Sequence, residues 1–223
     1  MSDRIKLYSY WRSSAAYRVR IALNLKQLDH EIVPVHLVNN GGEQHAASYI
    51  ELNPQAIVPT LVDGARVYRQ SMAIIEYLDE AYSESHPLLP STVRERARVR
   101  ALAQVVGCDI HPLNNLRVMQ FLEREFSTPA VERERWTRHW IVEGFRALEQ
   151  MLGESASTGL YCDGDTPTLA DLCLIPQIYN AHRFAVDMQP FPVISRIEQQ
   201  CLSLPAFDAA RPENQADAPH RKE

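Results

Sequence analysis

Little in this chain points toward large charged or lipid partners. Lysine and arginine number 23 against 28 aspartates and glutamates, a formal net charge of -5. The basic residues are dispersed, so no basic field follows a nucleic-acid backbone. No apolar run approaches the roughly 20 residues that span a bilayer, and the opening MSDRIKLYSYW turns directly into a strand-like pattern without a signal-peptide core. The expectation is a soluble, cytoplasmic protein with neither nucleic-acid nor membrane partners. Cysteine is scarce: Cys108, Cys162, Cys173 and Cys201 are scattered and form no CxxC pair. Disulfides and a metal site are therefore not expected, and each thiol is read as a small buried hydrophobe. What is present is ordinary globular material, 45% hydrophobic and 23% charged residues.

The first 82 residues alternate strand-like and helix-like segments. Ile5 to Tyr8 reads as a strand, Ala15 to Leu25 as a helix and Glu31 to Leu37 as a second strand. An irregular polar stretch leads to Asn53-Pro54, after which Thr60 to Val62 and Arg66 to Tyr68 form a hairpin around Asp63-Gly64. Ser71 to Tyr82 carries Ile74, Ile75, Leu78 and Tyr82 at helical spacing. The order β-α-β-(α)-β-β-α is the thioredoxin-like one. Residues 83–91, SESHPLLPS, lose periodicity and read as a linker. From 92 to 223 the spacing is helical, with Trp136, Trp140, Phe145, Leu148 and Leu152 on one face that stops at Gly153. Thr168-Leu169-Ala170-Asp171 has the form of a capping box that orders a core helix. The tail Arg211 to Glu223 is polar and contains proline, a composition that suggests partial disorder. The expected architecture is thus an α/β thioredoxin-like N-terminal domain and an all-α C-terminal domain.

Three features of the first domain converge on one kind of ligand. Ser13-Ser14 stand at the start of a helix, where backbone N–H groups and the helix dipole favour an anion. A serine hydroxyl there can donate to a sulfur anion and favour the thiolate of a bound thiol; capping the helix is the alternative role. Val58-Pro59 precedes a strand, and a cis bond would turn the Val58 backbone outward toward a peptide ligand; most X-Pro bonds are trans, which leaves a plain edge proline as the alternative. Gln70-Ser71 open a helix whose N-terminus can grip a carboxylate, or can simply be capped.

On these residues the sequence resembles the glutathione transferase superfamily and, within it, the zeta class. The run Tyr8-Ser9-Tyr10-Trp11-Arg12-Ser13-Ser14-Ala15-Ala16-Tyr17-Arg18-Val19-Arg20-Ile21-Ala22-Leu23 resembles the zeta signature. Further matches are Asn53-Pro54 with Val58-Pro59, Gln70-Ser71 with Ala73-Ile74-Ile75-Glu76-Tyr77-Leu78, and Leu169-Ala170-Asp171, so the resemblance covers nearly the whole chain. It implies the glutathione transferase fold, with glutathione as cofactor. Ser13 would favour the thiolate with Ser14 close by, and Gln44, Val58, Gln70 and Ser71 would hold the tripeptide, joined by His111 and Asn115 of the second domain. Gly107 to Asn115 resembles bacterial isomerases of the class especially closely. Where the usual signature has a cysteine this chain has Ala15. That moves the reading away from relatives that resolve a mixed disulfide and toward simple isomerisation.

The implied reaction is cis-trans isomerisation of a maleyl dicarboxylate, maleylacetoacetate to fumarylacetoacetate, by reversible addition of a thiolate to the alkene. Cationic donors near the conjugated carbonyl would stabilise the charge that develops there. Arg12, Arg117 and Arg183 are the candidates for binding substrate carboxylates, with Arg12, beside the serines, also counted among the catalytic residues. Maleylpyruvate is the alternative substrate, and a general transferase or α-haloacid dehalogenase the alternative activity. A non-enzymatic glutathione-binding protein is the reading from a different class, against which the retained Ser13 argues. The resemblance also implies a homodimer.

Overall fold

Alternating burial drives the first strand: in β1, Ile5–Ser9, the side chains of Ile5, Leu7 and Ser9 turn inward while Lys6 faces out. The computed structural model, which describes residues 4–219, continues with α1 (Ser14–Leu25), β2 (His30–Pro34), α2 (Ala47–Leu52), β3 (Thr60–Asp63), β4 (Arg66–Arg69) and α3 (Ser71–Ala81). The strands form one mixed sheet in the order β2-β1-β3-β4. β1 runs parallel to β2 and antiparallel to β3, and β3 runs antiparallel to β4. This is the expected thioredoxin-like arrangement. β2 stops at Pro34 rather than at Leu37. It lies on the sheet edge, where a proline without an N–H is tolerated but ends the ladder. The hairpin turns at Gly64-Ala65, with Gly64 at φ 56 taking the first loop position.

Helix α1 is buried from Ala16 to Leu23, including Arg18 and Arg20, and packs against α3 and against α9, Pro205–Ala209, near the other end of the chain. By contact, the chain divides into two units: one runs from the start of the chain to Leu88 and resumes at Ser203, and the other is Leu89–Leu202. The helical domain therefore does not extend from 92 to 223 as the composition suggested. Residues from 203 onward return to the first unit, where Arg20 Nε donates to Ala210 O (3.0 Å) and Asn24 Nδ2 to Ala206 O (3.0 Å). Nor is the stretch 83–88 free linker. The buried Lys26 ammonium bonds His86 O (3.0 Å) and Asp79 (3.4 Å), and Asp79 in turn accepts from Leu88 N (2.7 Å). The tail is ordered as far as it is described: Pro212 is buried, Pro212–Asn214 forms a 3-10 turn, and Asp217 accepts from Trp11 N at 2.9 Å. The remainder of the expected disorder, residues 220–223, lies outside the described residues.

The second unit contains α4 (Val93–Gln104), a π-helical turn (Val105–Ile110), α5 (Leu116–Phe126), α6 (Ala130–Gly153), α7 (Leu169–Arg183) and α8 (Pro192–Leu202). In α6 the buried stripe is Thr137, Ile141, Phe145, Leu148 and Leu152, so Trp136 and Trp140 are only half-buried at its margin. The helix ends at Gly153 as the periodicity suggests. Gly144 has a packing reason: a Cβ there would collide with Cγ1 and Cδ1 of Ile110 on the π turn. The capping box of α7 forms, and the fully buried Asp171 carboxylate accepts from Thr168 N (2.8 Å), Thr168 Oγ1 (3.1 Å) and Cys162 N (2.8 Å). Cys162, Cys173 and Cys201 are buried, and burial pushes the Cys162 and Cys201 thiols well up. Cys108, on the π turn, is exposed, contrary to the expectation for it. Among the described residues no helix is long and apolar enough to cross a membrane.

Candidate functional site

Strand register brings the candidate residues of the first unit to one edge of the sheet. Tyr8, next to the end of β1, pairs with Thr60 at the start of β3, and Thr60 pairs with Arg69 at the end of β4. The segments just beyond these positions are Tyr10 to Ser14, Val58-Pro59 and Gln70-Ser71, so they meet. β2 ends on the same side, with Ser9 opposite Pro34 and Val35 N donating to Ser9 O at 2.8 Å, and its following loop carries Gln44.

Ser13 is the N-cap of α1, extended at φ -70 and ψ 116, and its Oγ accepts from Ala16 N at 3.2 Å. A hydroxyl has one donor and two acceptor sites. Capping therefore leaves the O–H available to a ligand, and the two roles weighed for Ser13 are compatible. Ser14 is the first residue of the helix and Arg12 lies just before the cap, its guanidinium 5.4 Å from the Trp11 ring centre. The approach to the cap is fixed by Arg20, which is 2% exposed and donates to Ser9 Oγ (3.1 Å), Tyr10 O (3.3 Å) and Trp11 O (3.0 Å).

The Val58-Pro59 bond is cis. Its loop is anchored through Ile57 O, which accepts from Tyr49 Oη (2.7 Å) and Asn53 Nδ2 (2.8 Å), while Thr60 Oγ1 bonds the same two groups at 2.9 and 3.2 Å. Burial raises the Tyr49 phenol above its ordinary value, so it stays a neutral donor. Val58 itself is buried by its side chain, yet among the described residues its backbone N–H and C=O have no partner. Paired polar backbone is the rule, and an edge left open beside a strand suits an extended peptide.

At the third feature Gln70 adopts φ 69 and ψ 117, a conformation that costs a non-glycine residue about 1–3 kcal/mol. Its side chain makes no cap bond to α3 and instead donates to Gln55 Oε1 at 2.7 Å. The buried Ser71 hydroxyl accepts from Arg18 Nη1 at 3.3 Å. A cation under the N-terminus of α3 adds to the dipole in favouring a carboxylate. Arg18 and Arg20 were missed as site residues. The signal was available, since both fall within the otherwise apolar run of α1.

Gln44 is 6% exposed, and a Cβ on Gly42, at φ 100, would stand 2.5 Å from its Nε2. Nε2 donates to Leu37 O at 3.4 Å and lies 3.2 Å from His45 Nε2, whereas the buried Oε1 has no partner. An orphan acceptor at that depth costs about 1–3 kcal/mol until a donor arrives.

The remaining candidates lie in the second unit. His111 follows the π turn, a feature often found at functional sites. Asn115 caps α5 by accepting from Arg117 N at 3.1 Å. Arg183 closes α7 with its guanidinium 4.8 Å from the Phe184 ring centre. Within their own unit His111, Asn115 and Arg117 are neighbours in sequence, and Arg183 is set apart from them on another helix.

Residues 7–86 match a family model described as the glutathione S-transferase N-terminal domain. The chain is 51% identical to a probable maleylacetoacetate isomerase of Vibrio cholerae, over 95% of this chain and 97% of that one. It is 46% identical to a maleylpyruvate isomerase of Ralstonia sp, covering 96% and 100%. Among solved structures, a holo maleyl pyruvate isomerase described as a bacterial zeta-class glutathione S-transferase superimposes with a TM-score of 0.93 at 45% identity, covering 96% and 100%. A maleylacetoacetate isomerase of Methylobacterium extorquens AM1 with bound malonate and glutathione gives 0.93 at 42%, covering 96% and 100%.

Proposed function

Because this chain belongs to the zeta class of the glutathione transferase family, we propose that it is a glutathione-dependent cis-trans isomerase of maleyl dicarboxylates, with maleylacetoacetate as substrate. The observation that carries the reading is the meeting, at one sheet edge, of a serine-capped helix start, a peptide backbone left open at Val58 and a second helix start at Ser71 over Arg18.

The residues present fit the tripeptide. Val58 offers a donor and an acceptor to an extended peptide, the first turn of α3 with Ser71 takes a carboxylate, and Gln44 Oε1 takes an N–H. Bound glutathione supplies a thiolate that adds reversibly to the conjugated alkene, so that the bond can rotate before the thiolate leaves. The Ser13 O–H, standing where the α1 dipole favours negative charge, stabilises the sulfur anion. Ser14 N–H at the first helical position adds to the same field. Arg12, Arg117 and Arg183 are assigned to the substrate carboxylates and to the charge developing on the conjugated carbonyl, where guanidinium pairs act more strongly on the transition state than on the ground state. His111 and Asn115 complete the glutathione set in this reading.

Maleylpyruvate is the second substrate reading, favoured by the 46% identity to the Ralstonia isomerase. The proposal extends to a cytoplasmic homodimer, on the zeta-class resemblance. The test is to incubate the protein with glutathione and each maleyl compound in turn. Appearance of the trans product with glutathione recovered unchanged is expected, and no turnover of either compound defeats the proposal.

A further inference from the structure

The loop between β2 and α2 is closed by an unusual set of bonds to His36. Its Nδ1 accepts two successive backbone N–H groups, from Val38 (3.2 Å) and Asn39 (2.9 Å). Its backbone exchanges bonds with Glu43, whose Oε2 accepts from His36 N (2.6 Å) and whose N donates to His36 O (2.8 Å). The ring stands edge-on to Tyr10, 4.9 Å between centres, beside the cluster of Tyr10, Val35, Tyr49 and Val58. A ring nitrogen that accepts carries no proton, so the clasp requires neutral imidazole with its hydrogen on Nε2. Protonation would set an N–H against two others. The next residue after the clasp is Gln44, whose carboxamide lies against Gly42 with Oε1 buried and unpartnered. Exchanging the amide's O and N would point an oxygen at Leu37 O, so the orientation is set by the loop.

We propose that His36 is a positioning residue: its neutral ring folds the loop 36–43 so that Gln44 presents Oε1 to an N–H of the bound tripeptide. The inference rests on the glutathione reading above and adds to it a residue and a dependence on pH. The titratable groups that bear on it are Glu43, on the His36 backbone, Tyr10, against the ring, and His45, whose Nε2 lies beside the Gln44 amide.

The experiment is calorimetric titration with S-methylglutathione, which has no thiol to ionise, at about pH 7.5 and about pH 5.5. Loss of two backbone bonds corresponds to an affinity change on the order of tenfold. Wild type is expected to weaken by that factor on acidification. His36→Asn, whose carboxamide oxygen stands where Nδ1 stood and does not titrate, should bind like wild type at the higher pH and lose most of the acid effect. His36→Phe should bind on the order of tenfold more weakly at both values, and should raise KM for glutathione more than it changes kcat. If His36→Phe fails to fold by circular dichroism, His36→Asn alone decides. An acid effect retained in His36→Asn but abolished in His45→Gln overturns the proposal, as does wild-type affinity in a folded His36→Phe. Failure of the wild type to bind the probe at any pH instead refutes the glutathione reading itself.

Discussion

Replacing Ser13 by alanine removes two interactions of one oxygen, and they can be told apart. The first is the cap: Ser13 Oγ accepts from Ala16 N at 3.2 Å, and loss of such a bond costs about 1 kcal/mol, or a fall in Tm of about 2–4 °C for a chain of this size. The second is the proposed donation to the sulfur. A hydrogen bond to a charged group is worth about 1.5–3 kcal/mol. At about 1.4 kcal/mol per pH unit, its loss raises the bound thiol's pKa by about 1 to 2 and lowers the thiolate fraction near neutrality about ten- to a hundredfold. Ser13→Asp keeps an acceptor for Ala16 N but has no proton to give, so its Tm should stay near wild type while turnover falls as far as in Ser13→Ala. Ser13→Thr keeps both functions. The assays are thermal unfolding, turnover with a maleyl substrate, and titration of the bound thiolate by its ultraviolet absorbance. Turnover that follows Tm across the series, or Ser13→Asp working at the wild-type rate, would refute the assignment of the hydroxyl to the sulfur.

Four further outcomes are expected. Arg183→Ala should raise KM for a dicarboxylate substrate on the order of tenfold with a smaller change in kcat; an unchanged KM returns the residue to its stack on Phe184. Arg20→Met removes the donor to the oxygens of Ser9, Tyr10, Trp11 and Ala210, of which Tyr10 O keeps Ser13 N, and should cost about 3 kcal/mol or more in urea unfolding; a loss under about 1 kcal/mol contradicts the role given to it. Gly144→Ala should destabilise by about 1–3 kcal/mol through its collision with Ile110, and combining it with Ile110→Ala should cost less than the sum of the two; additive losses would mean that the contact is not the cause. Tyr77 and Tyr82 both donate to Asp63 Oδ2, at 2.7 and 2.6 Å, and burial with that carboxylate pushes the Tyr82 phenol up to about 12. Its folded value lies above the unfolded value near 10, so the contribution is complete below about pH 10 and is lost as pH rises toward 12. Stability measured by urea should fall over that window in wild type and less steeply in Tyr82→Phe, and parallel profiles would remove Tyr82 from the effect.

Much of the first unit was legible because its signals are local. Ser13 before an apolar helical run, Pro59 before a strand and Ser71 at a helix start each announce a backbone event at a known position, and the strand order then follows from thioredoxin-like spacing. Where the signal is a relation between distant segments, the sequence is silent. The periodicity of residues 205–209 says that they are helical but not that α1 is their partner. The polar tail looked disordered because composition does not record that Asp217 has a backbone N–H to accept from at Trp11. The π turn at 105–110 adds a residue to an otherwise regular helical pattern, and the glycine that leaves room for its Ile110, Gly144, lies more than thirty positions away. The His36 clasp escaped notice for a similar reason, since nothing in a stretch of polar residues distinguishes a ring nitrogen that accepts from one that donates.

The return of residue 203 onward to the first unit bears on how the protein is made. A ribosome emits the Ser13 loop before the second unit and the Asp217 and Ala210 acceptors after it, with the whole of that unit between them. The nascent first unit therefore waits, with one flank of α1 uncovered, until the second unit has been made and residues 203 onward emerge. A stop codon just after Leu202 would leave all the strands and the whole helical unit encoded, yet release a chain whose first unit was never completed.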